Sequence, residues 1–125
     1  MRTAVFPGSF DPFTVGHFDV LESALQLFDK VIIAVGYNSS KTGFFSPDTR
    51  VEIIRQATAH MDNVEVCTYT GLTIDLCHQL GVNNIIRGLR TTTDFEMDQD
   101  QMILKDSTGN IIALLKKIAP QALEN

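Results

Sequence analysis

What this chain lacks narrows its function first. Lys and Arg number ten against fifteen Asp and Glu, a formal net charge of -5. That deficit of cations argues against a general binder of nucleic acid or of anionic membrane, since both are held by an excess of Lys and Arg. An anionic ligand would have to be captured by a local cluster instead. No stretch of about 18 apolar residues is present to span a bilayer. The first residues read as a strand and a Gly/Pro turn, with no basic start followed by a long apolar run, so no signal peptide is expected and the cytoplasm is the expected compartment. Cysteine is scarce: Cys67 and Cys77 lack the close C-x-x-C spacing of a metal or redox motif, which predicts free thiols in a reducing compartment. Internal repeats and low-complexity segments are also missing.

What remains, in 125 residues of which 44% are hydrophobic, suits a single domain with one core. Thr3 to Phe6 is a short apolar run stopped by Pro7-Gly8, and Lys30 to Tyr37 is a Val/Ile-rich run; both read as buried strands. Between them Phe18, Leu21, Leu25 and Phe28 recur at helical spacing. Ser46-Pro47 reads as an N-cap and first helical residue, opening a helix to about His60 with Val51, Ile54, Ala57 and Met61 along one side. Val64 to Tyr69 is a third strand, Thr73 to Leu80 a short helix closed by Gly81, and Asn84 to Arg87 a fourth strand. Thr91-Thr92-Thr93-Asp94 supplies caps for a helix towards Lys105. Asp106 to Asn110 is turn-rich, and Ile111 to Ile118 has helical or strand character. Strands alternating with helices predict a Rossmann-like α/β fold with a doubly wound parallel sheet, its crossovers right-handed.

The segment Pro7-Gly8-Ser9-Phe10-Asp11-Pro12-Phe13-Thr14-Val15-Gly16-His17 joins the first strand to the first helix, at the carboxyl edge where open sheets bind ligands. Gly8 permits close backbone approach, Ser9 offers a hydroxyl and an amide, and Gly16 with His17 falls in the first helical turn, where free N–H groups and the helix dipole favour an anion. A phosphate could be held there without net positive charge on the protein.

That ordered string resembles the nucleotide-binding signature of the nucleotidyltransferase superfamily. Ile86-Arg87-Gly88-Leu89-Arg90, followed by Asp94-Phe95-Glu96, makes the chain similar to the phosphopantetheine adenylyltransferases, as do Ser39-Ser40-Lys41 and Gly71-Leu72-Thr73. The likeness runs over residues 1 to about 100. It implies adenylyl transfer from ATP to 4'-phosphopantetheine, giving dephospho-coenzyme A and pyrophosphate, with Mg²⁺ as the metal ion and a homohexameric assembly. By the same resemblance Ser9, Lys41, Thr73 and Arg87 contact phosphopantetheine, and Ser9, Phe10, His17, Gly88, Leu89, Arg90 and Asp98 contact ATP. His17 would stabilise the transition state, with Lys41 and Arg90 as further catalytic donors.

Each of these residues has a plainer alternative. Lys41 reads equally as a solvated loop lysine, Arg87 and Arg90 as ion-pair partners of Asp94 or Glu96, and Asp11 as a residue that ties its own loop. His60 and His78 match no motif and read as structural. The chain also departs from the family after the Asp-Phe-Glu segment. The Ser-rich Ile-Ser-Ser-x-Val/Ile-Arg motif that holds the ATP phosphates is missing, Ser107-Thr108 is not followed by the apolar residue and arginine it requires, and Asp98 stands where glutamate is usual. A ligand-binding protein without turnover, or a small nucleotidyltransferase using another nucleotide, are the competing readings.

Overall fold

A computed structural model describes residues 1–40 and 43–88 together with two strands over 101–105 and 111–117. In chain order the elements are β1 (Thr3–Gly8), α1 (Val15–Ala24), β2 (Lys30–Gly36), α2 (Pro47–Ala57), β3 (Val64–Tyr69), α3 (Thr73–Leu80), β4 (Asn84–Gly88), β5 (Gln101–Lys105) and β6 (Ile111–Lys117). They build one six-stranded sheet in the order β3-β2-β1-β4-β6-β5. The first four strands run parallel, as the strand-helix rhythm predicts; β6 lies antiparallel to both β4 and β5.

β1 is longer than its apolar run. Pro7 and Gly8 stay in the strand because pairing with β2 continues through Pro7↔Ala34 and Gly8↔Val35. The helices end earlier than the apolar spacing suggests. α1 stops at Ala24, with Leu25 as C-cap, and Phe28 reaches the core from the following turn. α2 stops at Ala57, where the buried Thr58 hydroxyl donates to the Ile54 carbonyl at 2.8 Å. α3 closes on Gly81 at φ 68, a left-handed position that a side chain would strain.

The expected helix towards Lys105 is corrected at its far end: Gln101–Lys105 is strand β5. Its helix-compatible residues carry only a weak local preference, and the ladder along β6 overrides it, with a register shift at Leu104/Lys105. Ile111–Lys117, ambiguous in sequence, is strand because both of its edges find partners.

Two cores cover the two faces of the parallel strands. On one face Ala4, Phe6, Val31, Ile33, Val35 and Ile86 meet Val20, Leu21 and Ala24 of α1 and Val51 and Ile54 of α2. On the other, Val5, Ile32 and Ala34 meet Leu76 and Cys77 of α3 and Val82. Alternate residues of a single strand therefore serve opposite cores, which is why β1 and β2 are continuous apolar runs. Cys77 is buried and Cys67 half-buried, and both are free. Ile33 is fully buried in the first core. Ile33→Ala is expected to lower unfolding stability by about 2–5 kcal/mol, read from urea denaturation followed by circular dichroism.

Candidate functional site

Parallel strands end on one edge, so the carboxyl ends of β1 to β4 bring Ser9, Phe10, His17, Thr73, Arg87 and Gly88 to the same side of the sheet. The sheet order reverses at β1, which has β2 on one edge and β4 on the other. Such a reversal leaves a crevice at the strand ends. Val5 pairs with Ile85, and counting on from that pair puts Gly8 level with Gly88 across the crevice. Ser9, Arg87 and Gly88 are exposed there.

The turn after β1 is built around a packed aromatic. Phe10 has φ 48, a region a bulky side chain enters at a cost of about 1–3 kcal/mol. Its ring, 2% exposed, lies 5.1 Å from Phe6, 5.8 Å from Phe13 and 4.9 Å from His17 between ring centroids. Gly8 lies beneath it, and a Cβ there would sit a tight 3.1 Å from the ring. The Phe10 side chain thus belongs to the core, and only its backbone is available to a ligand.

Thr14 caps α1 in a reciprocal arrangement. Its hydroxyl accepts from the His17 N–H at 3.4 Å, and its own N–H donates to His17 Nδ1 at 2.9 Å. Glu or Gln usually fills that third helical position. With Nδ1 accepting, the proton of the neutral imidazole sits on Nε2. Packing against Phe10 and the stacked Phe13, 5.6 Å away, half-buries the ring, and that burial pushes its pKa below the usual 6.5. His17 is therefore a neutral Nε2–H donor at pH 7. Val15 and Gly16 precede the first residue able to bond back into the helix, so their N–H groups are free for a ligand, and no acidic residue occupies the first turn to compete with an anion.

The site rests on a pair that the sequence reading missed. Arg50 is 6% exposed on α2. Its Nε donates to the Phe45 carbonyl at 2.8 Å, one terminal nitrogen donates to the Ser9 carbonyl at 3.4 Å, and the other lies 3.5 Å from Asp11 Oδ2. Asp11 in turn accepts from the Phe44 and Phe45 N–H groups at 2.7 and 2.8 Å. Asp11 does tie its loop, as one reading of the sequence had it, but to the segment after β2. Gly43 packs against the pair, where a Cβ would collide with both charged groups. A signal existed: Arg50 lies one turn before Ile54 on the buried side of α2.

Thr73 opens α3, its hydroxyl 2.8 Å from the Tyr69 phenol, and Tyr69 leans over Gly36 at the end of β2. Ser40 donates to the Asn38 side chain in the turn after β2. Lys41, Leu89, Arg90 and Asp98, with Asp94, Glu96, Ser107 and Thr108, lie outside the described residues. A cavity of about 310 Å³ opens at the opposite, amino edge of the sheet. Its two cationic side chains are already engaged, Arg2 over the Phe28 ring and Lys30 with Glu65, so it offers an anion less than the carboxyl edge does.

The chain is similar in sequence to known proteins. The profile of the family described as Cytidylyltransferase-like matches residues 5–120. A phosphopantetheine adenylyltransferase of Leuconostoc citreum is 38% identical over 97% of this chain and 77% of its own length. Proteins of the same name from Flavobacterium psychrophilum and a Synechococcus strain are 48% and 52% identical, over 79% and 76% of this chain. The chain spans 66% and 60% of those two relatives. In fold, it is similar to the crystal structure of a lipopolysaccharide core biosynthesis protein of Thermoplasma volcanium, with a TM-score of 0.58, 19% identity, and 77% of this chain and 80% of that one covered.

The His17 environment makes a pH prediction. A histidine whose folded pKa is depressed leaves the unfolded chain binding more protons below pH 6.5, so its contribution to stability is lost as pH falls from about 6.5 towards the folded pKa. The urea-unfolding stability of the wild type minus that of His17→Gln should therefore decline over that window. A ¹⁵N titration of the imidazole should find Nε2 protonated at pH 7 and a midpoint under 6.5.

Proposed function

The chain belongs to the cytidylyltransferase-like family and, within it, to the phosphopantetheine adenylyltransferases, and we propose that it transfers the adenylyl group of ATP to 4'-phosphopantetheine in coenzyme A biosynthesis. The observation that carries the reading is the neutral His17, locked by Thr14 with its proton on Nε2, beside the open N-terminus of α1 and on the same sheet edge as Arg87 and Gly88.

The chemistry needs little more than placement. The phosphate monoester of phosphopantetheine is ionised at neutral pH, so its oxygen attacks the α-phosphorus without a general base. A new phosphorus–oxygen bond forms as the bond to the β-phosphate breaks, and pyrophosphate leaves with that electron pair. Negative charge builds on the α-phosphate oxygens during the transfer. The His17 Nε2–H and the amides of α1 are pre-oriented donors for it, and they need not reorganise when it appears. A neutral histidine suits this role, because it donates without giving up a proton to the dianionic substrate.

The remaining roles in the proposal follow the family resemblance. Ser9, Thr73, Arg87 and Lys41 hold phosphopantetheine; Ser9, the Phe10 backbone, Gly88, Leu89, Arg90 and Asp98 hold ATP; Lys41 and Arg90 add positive charge to the transferring group. Among the described residues no three His, Cys, Asp or Glu side chains gather as a metal cage. Mg²⁺ enters the proposal through the family resemblance, and what it would supply is neutralisation of charge on the triphosphate. A homohexameric assembly and a cytoplasmic location complete the proposal. No helix among the described residues is long and apolar enough to cross a membrane.

Pyrophosphate release from ATP, Mg²⁺ and 4'-phosphopantetheine tests this reading. Release should require both substrates and fall about a hundredfold in His17→Ala, the cost of one lost transition-state donor. Nucleotide binding without release would favour a ligand-binding protein, and release with cytidine triphosphate in place of ATP a different transferase.

A further inference from the structure

We propose that Arg50 is a positioning residue for the transfer: by holding the Ser9 carbonyl it aims the Phe10 N–H into the crevice as an anion donor, and through Asp11 it sets the loops after β1 and β2 as one unit. The inference rests on the reading of the site as a nucleotide site.

The argument starts from peptide geometry. The only cis bond among the described residues is Asp11-Pro12, so the Ser9-Phe10 peptide is trans, with its carbonyl and N–H pointing in opposite directions. The guanidinium draws the Ser9 oxygen towards α2. The Phe10 N–H must then face away from α2, and among the described residues it has no acceptor. A guanidinium is suited to this task because its planar fork reaches three acceptors at once: the Ser9 carbonyl, the Phe45 carbonyl and the Asp11 carboxylate. Lysine could satisfy one of them. The positive φ of Phe10 is held by its surroundings: aromatic packing fixes the ring, and the Arg50 contact with the Ser9 carbonyl acts on the peptide behind it.

The same pair serves the second loop. Asp11 takes the N–H groups of Phe44 and Phe45, and Arg50, which also holds the Phe45 carbonyl, reaches the Ser9 carbonyl and Asp11, so the turn after β1 is joined to the segment entering α2 and to α2 itself by four contacts. Displacing Arg50 would release both loops together.

The test uses the full chain as wild type, Arg50→Lys and Arg50→Met, each first checked for native circular dichroism. Steady-state pyrophosphate release should show kcat reduced ten- to a hundredfold in Arg50→Met and less in Arg50→Lys, with the KM for ATP raised in the same order. In ¹⁵N-resolved NMR the wild-type Phe10 amide should shift on adding ATP, and the shift should be lost in Arg50→Met. Unchanged kcat in folded Arg50→Met, or a Phe10 amide that responds to ATP equally in both proteins, would overturn the inference. If the wild type releases no pyrophosphate, the transfer reading fails on its own, and the Phe10 amide still decides the role of Arg50. A wild-type Phe10 amide that ignores ATP rejects it.

Discussion

Strand β1 is hydrogen-bonded to β2 on one edge and to β4 on the other, and the site depends on that position. Apolar residues on both faces of β1 hold it there, Ala4 and Phe6 towards α1 and α2, Val5 towards α3. Because the chain leaves β1 for one side of the sheet and returns at β4 on the other, the end of β1 opens into a crevice with no crossover drawn across it. The turn from Ser9 to Thr14 and the first residues of α1 inherit that location. Neither the caps nor the clamp would matter elsewhere on the molecule.

At that location two effects compete over the charge of His17. A cationic imidazole would attract a phosphate more strongly, since a charge-assisted hydrogen bond is roughly twice as strong as a neutral one. Protonating Nδ1, however, would set it against the Thr14 N–H and break that half of the cap, and would charge a half-buried ring packed against Phe10 and Phe13. Without a ligand to repay it, the cost wins, and the ring stays neutral. The phenylalanines thus do more than fill space: they keep the imidazole neutral, with its single proton on Nε2. The Asp11–Arg50 pair works on the same turn from behind, converting a buried ion pair into a fixed backbone direction.

Much of this was legible in the residues. The apolar runs of β1 to β4, the cap at Ser46 and the stop at Gly81 rest on local chemistry and appear in the structure within a few residues. The location of His17 followed from an N-terminal helical turn after a Gly-containing loop. Its tautomer did not, because that depends on Thr14 reaching back to Nδ1, a contact set by cap geometry. The burial of Arg50 could be read from its helical spacing to Ile54, but its role could not, for a related reason: its partners Ser9 and Asp11 are some forty residues away, joined to it only when β1 and β2 pair. β5 escaped the sequence reading because Gln101–Lys105 is strand only by virtue of β6 beside it.

The central claim is that anions bind at the carboxyl end of β1. Hydrogen exchange of the full chain, read by mass spectrometry with and without ATP and Mg²⁺, tests it most directly. The account predicts protection concentrated over residues 8–18 and at the end of β4, with the amino-edge cavity around Arg2 and Lys30 unchanged. Protection confined to that amino edge would contradict it.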